Sequence, residues 1–368
     1  MSDRLCRWGV LGSAGIARKN WKSIWNAENA VLSAVASRRE ASAQKFIDEC
    51  QATVPFAKAP EAVEGYDNLL ARADIDAVYI PLPTGLRKEW VLRAAAAGKH
   101  VMCEKPCGAT TEDLCEMIAA CREHNVQFMD GVMFNHSARL NAIRDTLDDG
   151  ESIGELKRIA THFSFRAPDD FLAGNIRVHS DLEPMGCLGD LGWYNIRIAL
   201  WIMNYRQPLR VSGRLLSDLG RDDSPQTVPT EFSGELLFEG GVSAGFYCSF
   251  LTEHQQWVHA SGVKGNLSVR DFVLPSYGFE SKYDVTTAQF QIDGCNFHMH
   301  DHTRTIAVPE YSDGMPNAQE TNLFRNFSDL ALSDEPDDHW PDIALLTQRV
   351  MDACHASAMQ DGAAVELG

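Results

Sequence analysis

A short apolar run, residues 6–11, breaks into Gly12-Ser-Ala-Gly-Ile-Ala17 and passes at once into a helical pattern rich in Lys, Trp and Ile. Strand, glycine turn and helix in that tight order restrict the fold severely. The spacing of Gly12, Ala14 and Ala17 approximates G-x-G-x-x-[GA], a turn whose backbone amides and following helix N-terminus receive a pyrophosphate. Ala14 stands in the middle glycine's place and thickens the point of closest approach. Gly12, Ser13, Ala14, Gly15, Ile16 and Ala17 are thereby candidate cofactor-binding residues.

Strand and helix go on alternating. Residues 30–36, 76–80 and 100–103 read as strands, while 41–52, 67–73 and 88–97 read as helices, the last stopped by Gly98. This predicts a right-handed parallel βαβ sheet, in which ligands gather at the carboxyl ends of the strands. At one such end stand Ser37, Arg38 and Arg39, where a NAD-binding fold would place an acidic residue on the ribose 2′-hydroxyl. A hydroxyl and guanidinium forks suit a 2′-phosphate instead, so Ser37 and Arg38 favour NADP over NAD. At the next end, Pro81, Leu82 and Thr84 belong to a rigid wall beside the cofactor or to a plain loop. At the third, Glu104-Lys105-Pro106 ends a buried run, and proline holds Lys105 extended. A lysine there is commonly a solvated cap; its company upstream and downstream gives it a role.

In the second half, 129–134 read as a strand leaving the first domain, 138–147 as a helix and 154–165 as a strand. Then comes Glu183-Pro-Met-Gly-Cys-Leu-Gly-Asp-Leu-Gly-Trp-Tyr194. Gly186 and Gly189 permit close approach, the pattern over 189–203 is helical, and Asp190 and Tyr194 share one helix face. A phenol and a carboxylate so placed can address a sugar hydroxyl together, although cap and core are commoner fates. Segments 209–215, 230–238, 241–250 and 257–272 alternate as strands. They predict a largely antiparallel sheet, one face on helices and the other free for another subunit. A closing helix over 341–358 is expected to pack back on the body. His298-Met-His-Asp-His302 would set three imidazoles on one strand face, but no second-shell pattern supports them and no metal is expected.

With 368 residues the chain is long enough for two full cores, and a net charge of −18 argues against nucleic acid or an anionic membrane as partner. Ten cysteines without a C-x-x-C pair fit buried thiols in a reducing cytoplasm. No export signal and no apolar run of spanning length is present, so a soluble cytoplasmic protein is expected.

Taken in order, the Gly12–Ala17 turn, Glu104-Lys105-Pro106, Asp190-x-x-x-Tyr194 and Gly262-Val-Lys-Gly-Asn-Leu resemble the Gfo/Idh/MocA oxidoreductases, over essentially the whole chain. The resemblance implies an α/β chain: a Rossmann domain with a parallel sheet over 1–127, then an α+β domain with a largely antiparallel open sheet over 128–368. The second domain would bind a sugar or polyol and form a homodimer or homotetramer. The resemblance maps the catalytic lysine onto Lys105, a hydrogen-bonding aspartate onto Asp190 and the general acid/base onto Tyr194, with Glu104, Lys105 and Pro106 beside an NADP or NAD nicotinamide. The Lys105 ammonium is expected to lower the Tyr194 pKa. Arg87 and Asn135-His136 depart from the family pattern, as does the 167–181 loop with Arg177 and His179. Competing readings are a redox-assisted NAD-dependent glycosidase, a non-catalytic NAD(P)-binding regulator, and the reductive rather than oxidative direction.

Overall fold

Two sheets organise the computed structural model, which describes residues 4–333 and 335–367. The first holds β1 (Cys6–Leu11), β2 (Ala30–Ser37), β3 (Glu61–Glu64), β4 (Ala77–Ile80), β5 (His100–Cys103) and β6 (Phe128–Asp130). Their order is β3-β2-β1-β4-β5-β6 and every pair is parallel. Helices α1 (Gly15–Asn26), α2 (Glu40–Gln51), α3 (Tyr66–Leu70), α4 (Thr84–Ala96) and α5 (Thr111–Glu123) supply the crossovers. Covered on both faces, β4 is buried throughout, as its unbroken apolar sequence requires. Residues 128–130 do not leave this sheet. They pair with β5 and close its edge, because Phe128 and Met129 have both faces to bury.

The second half contributes α6 (Arg139–Asp148), β7 (Leu156–Ser164), α7 (Asp169–Gly174), α8 (Trp193–Ile202), β8 (Arg210–Leu219), β9 (Val228–Leu237), β10 (Ser243–Ser249), β11 (Gln255–Gly262), β12 (Asn266–Val269), β13 (Glu280–Asp293), β14 (Asn296–Pro309), α9 (Gln319–Ala331), α10 (His339–Ala358) and β15 (Val365–Glu366). Nine strands form one sheet, β14-β13-β12-β11-β7-β10-β9-β8-β15, antiparallel except between β7 and β10. The stretch 257–272 is a hairpin, β11 and β12, rather than one strand. One face of the sheet packs on α8 and α10, and the other carries half-buried rings such as His162 stacked on Trp257 at 5.4 Å.

The β13–β14 hairpin projects beyond the body, with residues 288–305 exposed. His298, His300 and His302 lie on this exposed arm. Among the described residues no group of three or more His, Cys, Asp or Glu side chains could hold a metal ion. Nor is any described helix long and apolar enough to cross a membrane.

Helix α9 crosses back to the first sheet. The Trp8 indole N–H donates to Ser328 Oγ at 3.0 Å, and its ring packs on Phe324 and Phe327 at 5.1 and 5.0 Å. A second link fixes α8 against the end of β6. Arg197, fully buried, pairs with Asp130 at 2.6 Å and donates to Thr347 Oγ1 at 2.7 Å, while Trp193 Nε1 donates to Asp130 at 3.2 Å. Removing one partner of such a pair strands a buried charge. Arg197→Met should therefore lower the unfolding free energy by about 3–5 kcal/mol, read by urea denaturation, and adding Asp130→Leu should recover much of the loss.

Candidate active site

A cleft of about 870 Å³ runs from the glycine turn to α8, between the two sheets. That is room for a cofactor end together with a small substrate. At its first end Gly12 sits at φ +106°, a conformation side chains disfavour, and a Cβ there would meet Leu82 at 3.2 Å. Gly15 opens α1 onto free space, and no side chain caps the first-turn amides of that helix. The residues fit a pyrophosphate: a bare helix start, an open glycine and a wall of Pro81 and Leu82 opposite.

At the other end Lys105, leaving β5, meets Asp190. Lys105 Nζ lies 2.8 Å from Asp190 Oδ1 and 2.6 Å from the Asp190 carbonyl oxygen. It also sits 4.3 Å from the centre of the Tyr194 ring. Gly189 lies in this approach, where a Cβ would sit 3.1 Å from Pro106 Cγ, a tight contact. Asp190 belongs to a π-helical turn, Leu188–Gly192, that leads into α8. Such widened turns recur at functional sites, and this one interrupts the continuous helix expected over 189–203.

Charges around this cluster are arranged asymmetrically. Burial alone would raise the Asp190 pKa, but Arg177 and Lys105 outweigh it and hold the carboxylate well below its ordinary range. Arg177 Nε lies 2.8 Å from Asp190 Oδ2, so each carboxylate oxygen faces a cation. The phenol of Tyr194 goes the other way. Burial first, then the Glu104 and Asp190 carboxylates, push its pKa well above the usual value. The expected lowering by Lys105 is overturned because the ammonium lies over the ring face and its charge is already answered by Asp190.

Glu104 is buried and accepts two hydrogen bonds, one of them from a phenol that is itself held by Asn20. Tyr79 OH donates to Oε1 at 2.5 Å, the Lys105 amide donates to Oε2 at 3.2 Å, and Asn20 Nδ2 donates to the Tyr79 oxygen at 2.8 Å. Gly131 leaves room for the carboxylate. Arg87 is also buried. It donates to the Leu82 carbonyl at 2.6 Å, to Thr84 Oγ1 at 3.0 Å and to the Pro106 carbonyl, tying two strand-end loops together. Thr84 Oγ1 donates to Glu183 at 2.5 Å, so its hydroxyl is engaged by the second half of the chain. His136 is buried against Trp340, and burial takes its pKa down to about 3.

The cleft therefore gathers Ala14, Gly15, Ile16, Pro81, Leu82, Glu104, Lys105, Asp190 and Tyr194. Gly12, Ser13, Ala17, Ser37, Arg38, Thr84 and Pro106 do not line it; Ala17 and Thr84 are buried, and Ser13 and Arg38 are exposed. Asn20, Tyr79 and Glu183 carried no sequence signal as site residues. Arg177 stood out only as an oddity of its loop.

Both halves of the chain resemble known proteins. Residues 6–132 match the oxidoreductase family with an NAD-binding Rossmann fold, and 140–268 match the GFO/IDH/MocA C-terminal domain. The chain belongs to the Gfo/Idh/MocA oxidoreductase family. Among its Gfo/Idh/MocA relatives is a dTDP-3,4-didehydro-2,6-dideoxy-alpha-D-glucose 3-reductase of Streptomyces antibioticus, 36% identical over 91% of this chain and 90% of that one. The D-xylose 1-dehydrogenase (NADP(+)) 2 of Haloferax volcanii is 31% identical over 71% and 74%. The 3-ketoreductase KijD10 of Actinomadura kijaniata, solved with NADP and TDP-benzene, superposes with a TM-score of 0.78 at 27% identity, covering 96% of this chain and 98% of that one. These relatives are sugar dehydrogenases and reductases, two of them described with NADP, and the chain is an NAD(P)-dependent sugar dehydrogenase or reductase.

The raised Tyr194 pKa has a direct readout. In an alkaline ultraviolet titration, Tyr194→Phe should leave the tyrosinate signal unchanged up to about pH 10, the ordinary phenol value. A phenolate signal lost below that pH would contradict the burial argument.

Proposed function

We propose that this protein transfers hydride between NADP and a carbon of a sugar or polyol, with Lys105, Asp190 and Tyr194 as its catalytic residues. The observation that carries the reading is the Lys105 ammonium at 2.8 Å from Asp190 and over the Tyr194 ring, in the same cleft as the glycine turn. Residues of 1–127 hold the cofactor in this reading and those of 128–368 the substrate. A bound nicotinamide supplies or takes the hydride; the chain's own residues do the rest. Lys105 holds the reacting oxygen and its ammonium stabilises developing alkoxide charge. Asp190, bracketed by cations, orients Lys105 and does not serve as the base. Tyr194, protonated at neutral pH, donates the proton when a ketone is reduced and must lose it when an alcohol is oxidised. Reduction should hold steady through neutral pH, while oxidation should climb as pH rises.

Arg38, exposed at the end of β2 and without an ion pair among the described residues, is the proposed partner of the 2′-phosphate. We further place the protein in the cytoplasm, supported by ten free cysteines, and assign association between copies to the open face of the nine-stranded sheet.

Lys105→Met should abolish turnover of D-xylose or D-glucose, by about a thousandfold or more, while NADPH fluorescence titration still shows binding; full activity would remove the mechanism. Arg38→Asp should move the ratio of kcat/KM values from NADP toward NAD, and an unmoved ratio would refute the 2′-phosphate assignment. Aryl glycosides that release phenol without net nicotinamide reduction would favour the glycosidase reading instead.

A further inference from the structure

Of the four lysines and arginines lining the cleft, three are committed. Lys19 pairs with Glu320 at 2.7 Å, Lys105 holds Asp190, and Arg87 ties the Leu82 and Pro106 carbonyls to Thr84. Arg177 differs. Its Nε faces Asp190 Oδ2, but its two terminal nitrogens have no partner among the described residues, and 40% of its side chain is exposed. A guanidinium accepts no hydrogen bond and stays charged, so unspent donors in a cleft call for lone-pair oxygens.

The backbone under Arg177 is fixed without help from its side chain. Asn175 Oδ1 accepts from the Arg177 amide at 3.0 Å, and Arg221 donates to the Asn175 carbonyl at 2.8 Å. The Ser180 amide donates to Ser224 at 3.0 Å, and Val178 is fully buried. A side chain needed only to lock this turn would be redundant. Only the Asp190 carboxylate separates Arg177 from Lys105, so adjacent oxygens of one sugar ring can reach both cations. Lys105, Asp190 and Arg177 together leave one net positive charge beside the reacting oxygen, the sign that stabilises an alkoxide.

We propose that Arg177 is a substrate-binding, specificity-determining residue: its free terminal nitrogens hold the oxygen on the sugar carbon next to the reacting one, while its Nε keeps Asp190 in place for Lys105. This assignment rests on the sugar oxidoreductase reading above. The charged and titratable groups around Asp190 are Lys105 from β5, Arg177 and Glu183 from the loop before the π-helical turn, Cys187 beside that turn, and Tyr194 from α8. Both cations draw the Asp190 proton off, so losing one moves its titration upward.

The test compares wild type, Arg177→Lys and Arg177→Gln in NADP-dependent oxidation of D-xylose, D-glucose and 2-deoxy-D-glucose. C2 is the only carbon next to C1, so for oxidation at C1 the deoxy sugar lacks the proposed oxygen; 3-deoxy and 4-deoxy analogues extend the same comparison to oxidation at another ring carbon. Wild type should prefer D-glucose over its 2-deoxy analogue by about tenfold or more in kcat/KM, the scale of one lost hydrogen bond to a charged group. Arg177→Gln should raise KM for D-glucose by a similar factor, bring that preference close to unity and leave NADPH binding within about twofold. Arg177→Lys should recover part of the preference. Independently of turnover, carboxyl ¹³C NMR, with Asp190→Asn as assignment control, should find the Asp190 titration at higher pH in Arg177→Gln. An active Arg177→Gln enzyme with unchanged KM and preference overturns the substrate contact, and an unmoved Asp190 titration overturns the bracket. A wild type inactive on every sugar tried overturns the sugar reading itself, and the substrate contact with it, while the NMR result still decides the bracket.

Discussion

The ion pair of Lys105 with Asp190 joins the end of the parallel sheet to the turn that leads into α8. Neither residue reaches it alone. Lys105 is carried by β5 and by the loops that Arg87 ties together, and Asp190 by a π-helical turn that packs closely against Pro106 at Gly189. Beneath them the buried Asp130–Arg197 pair fixes α8 to the end of β6. Buried pairs contribute little net stability, but they punish any other arrangement. Here two pairs in series fix the register between the halves of the chain, and the cleft is what remains between them.

The electrostatics separate the readings. A regulator that only binds a dinucleotide has no use for a carboxylate bracketed by two cations beside a buried phenol. An oxidoreductase does, because in the proposed mechanism each group has one part of the work: Lys105 the charge, Tyr194 the proton, Asp190 the alignment. The raised Tyr194 pKa also gives the site a preferred protonation state without any bound base, since a buried phenol between two carboxylates keeps its proton at neutral pH. The Tyr79–Glu104 bond extends the pattern, placing a second fixed carboxylate against the cleft from the opposite side.

Most of the parallel sheet was legible because its strands are buried on both faces and read as short apolar runs between helical patterns. Strand β6 was misassigned because three residues give too little periodicity to show which sheet they join. The antiparallel strands announced themselves by alternation, until alternation lost its cause. On β13 and β14 the outer residues face water on both sides, so Gln289, Gln291, His298 and His300 alternate with the exposed Phe290, Ile292, Phe297 and Met299 on the part of the hairpin that extends beyond the pairing of β13 with β12. In the site, local spacing offered Lys105, Asp190 and Tyr194 only as a cap and a helix-face pair, and the family resemblance supplied their roles. Arg177 was visible as part of an unusual loop without its partner, and Glu183 and Asn20 were not visible because they meet Thr84 and Tyr79 from segments far apart in sequence.

The return of α9 to β1 has a bearing on how the chain is made. Trp8 is made well before the rings that cover it, Phe324 and Phe327, and before Ser328, 320 residues further on, whose hydroxyl accepts from its indole N–H. The nucleotide half therefore waits with an incompletely covered tryptophan while β7 to β14 are translated, and its burial is completed only when α9 has been made. Vectorial synthesis cannot complete this Rossmann core before α9 exists.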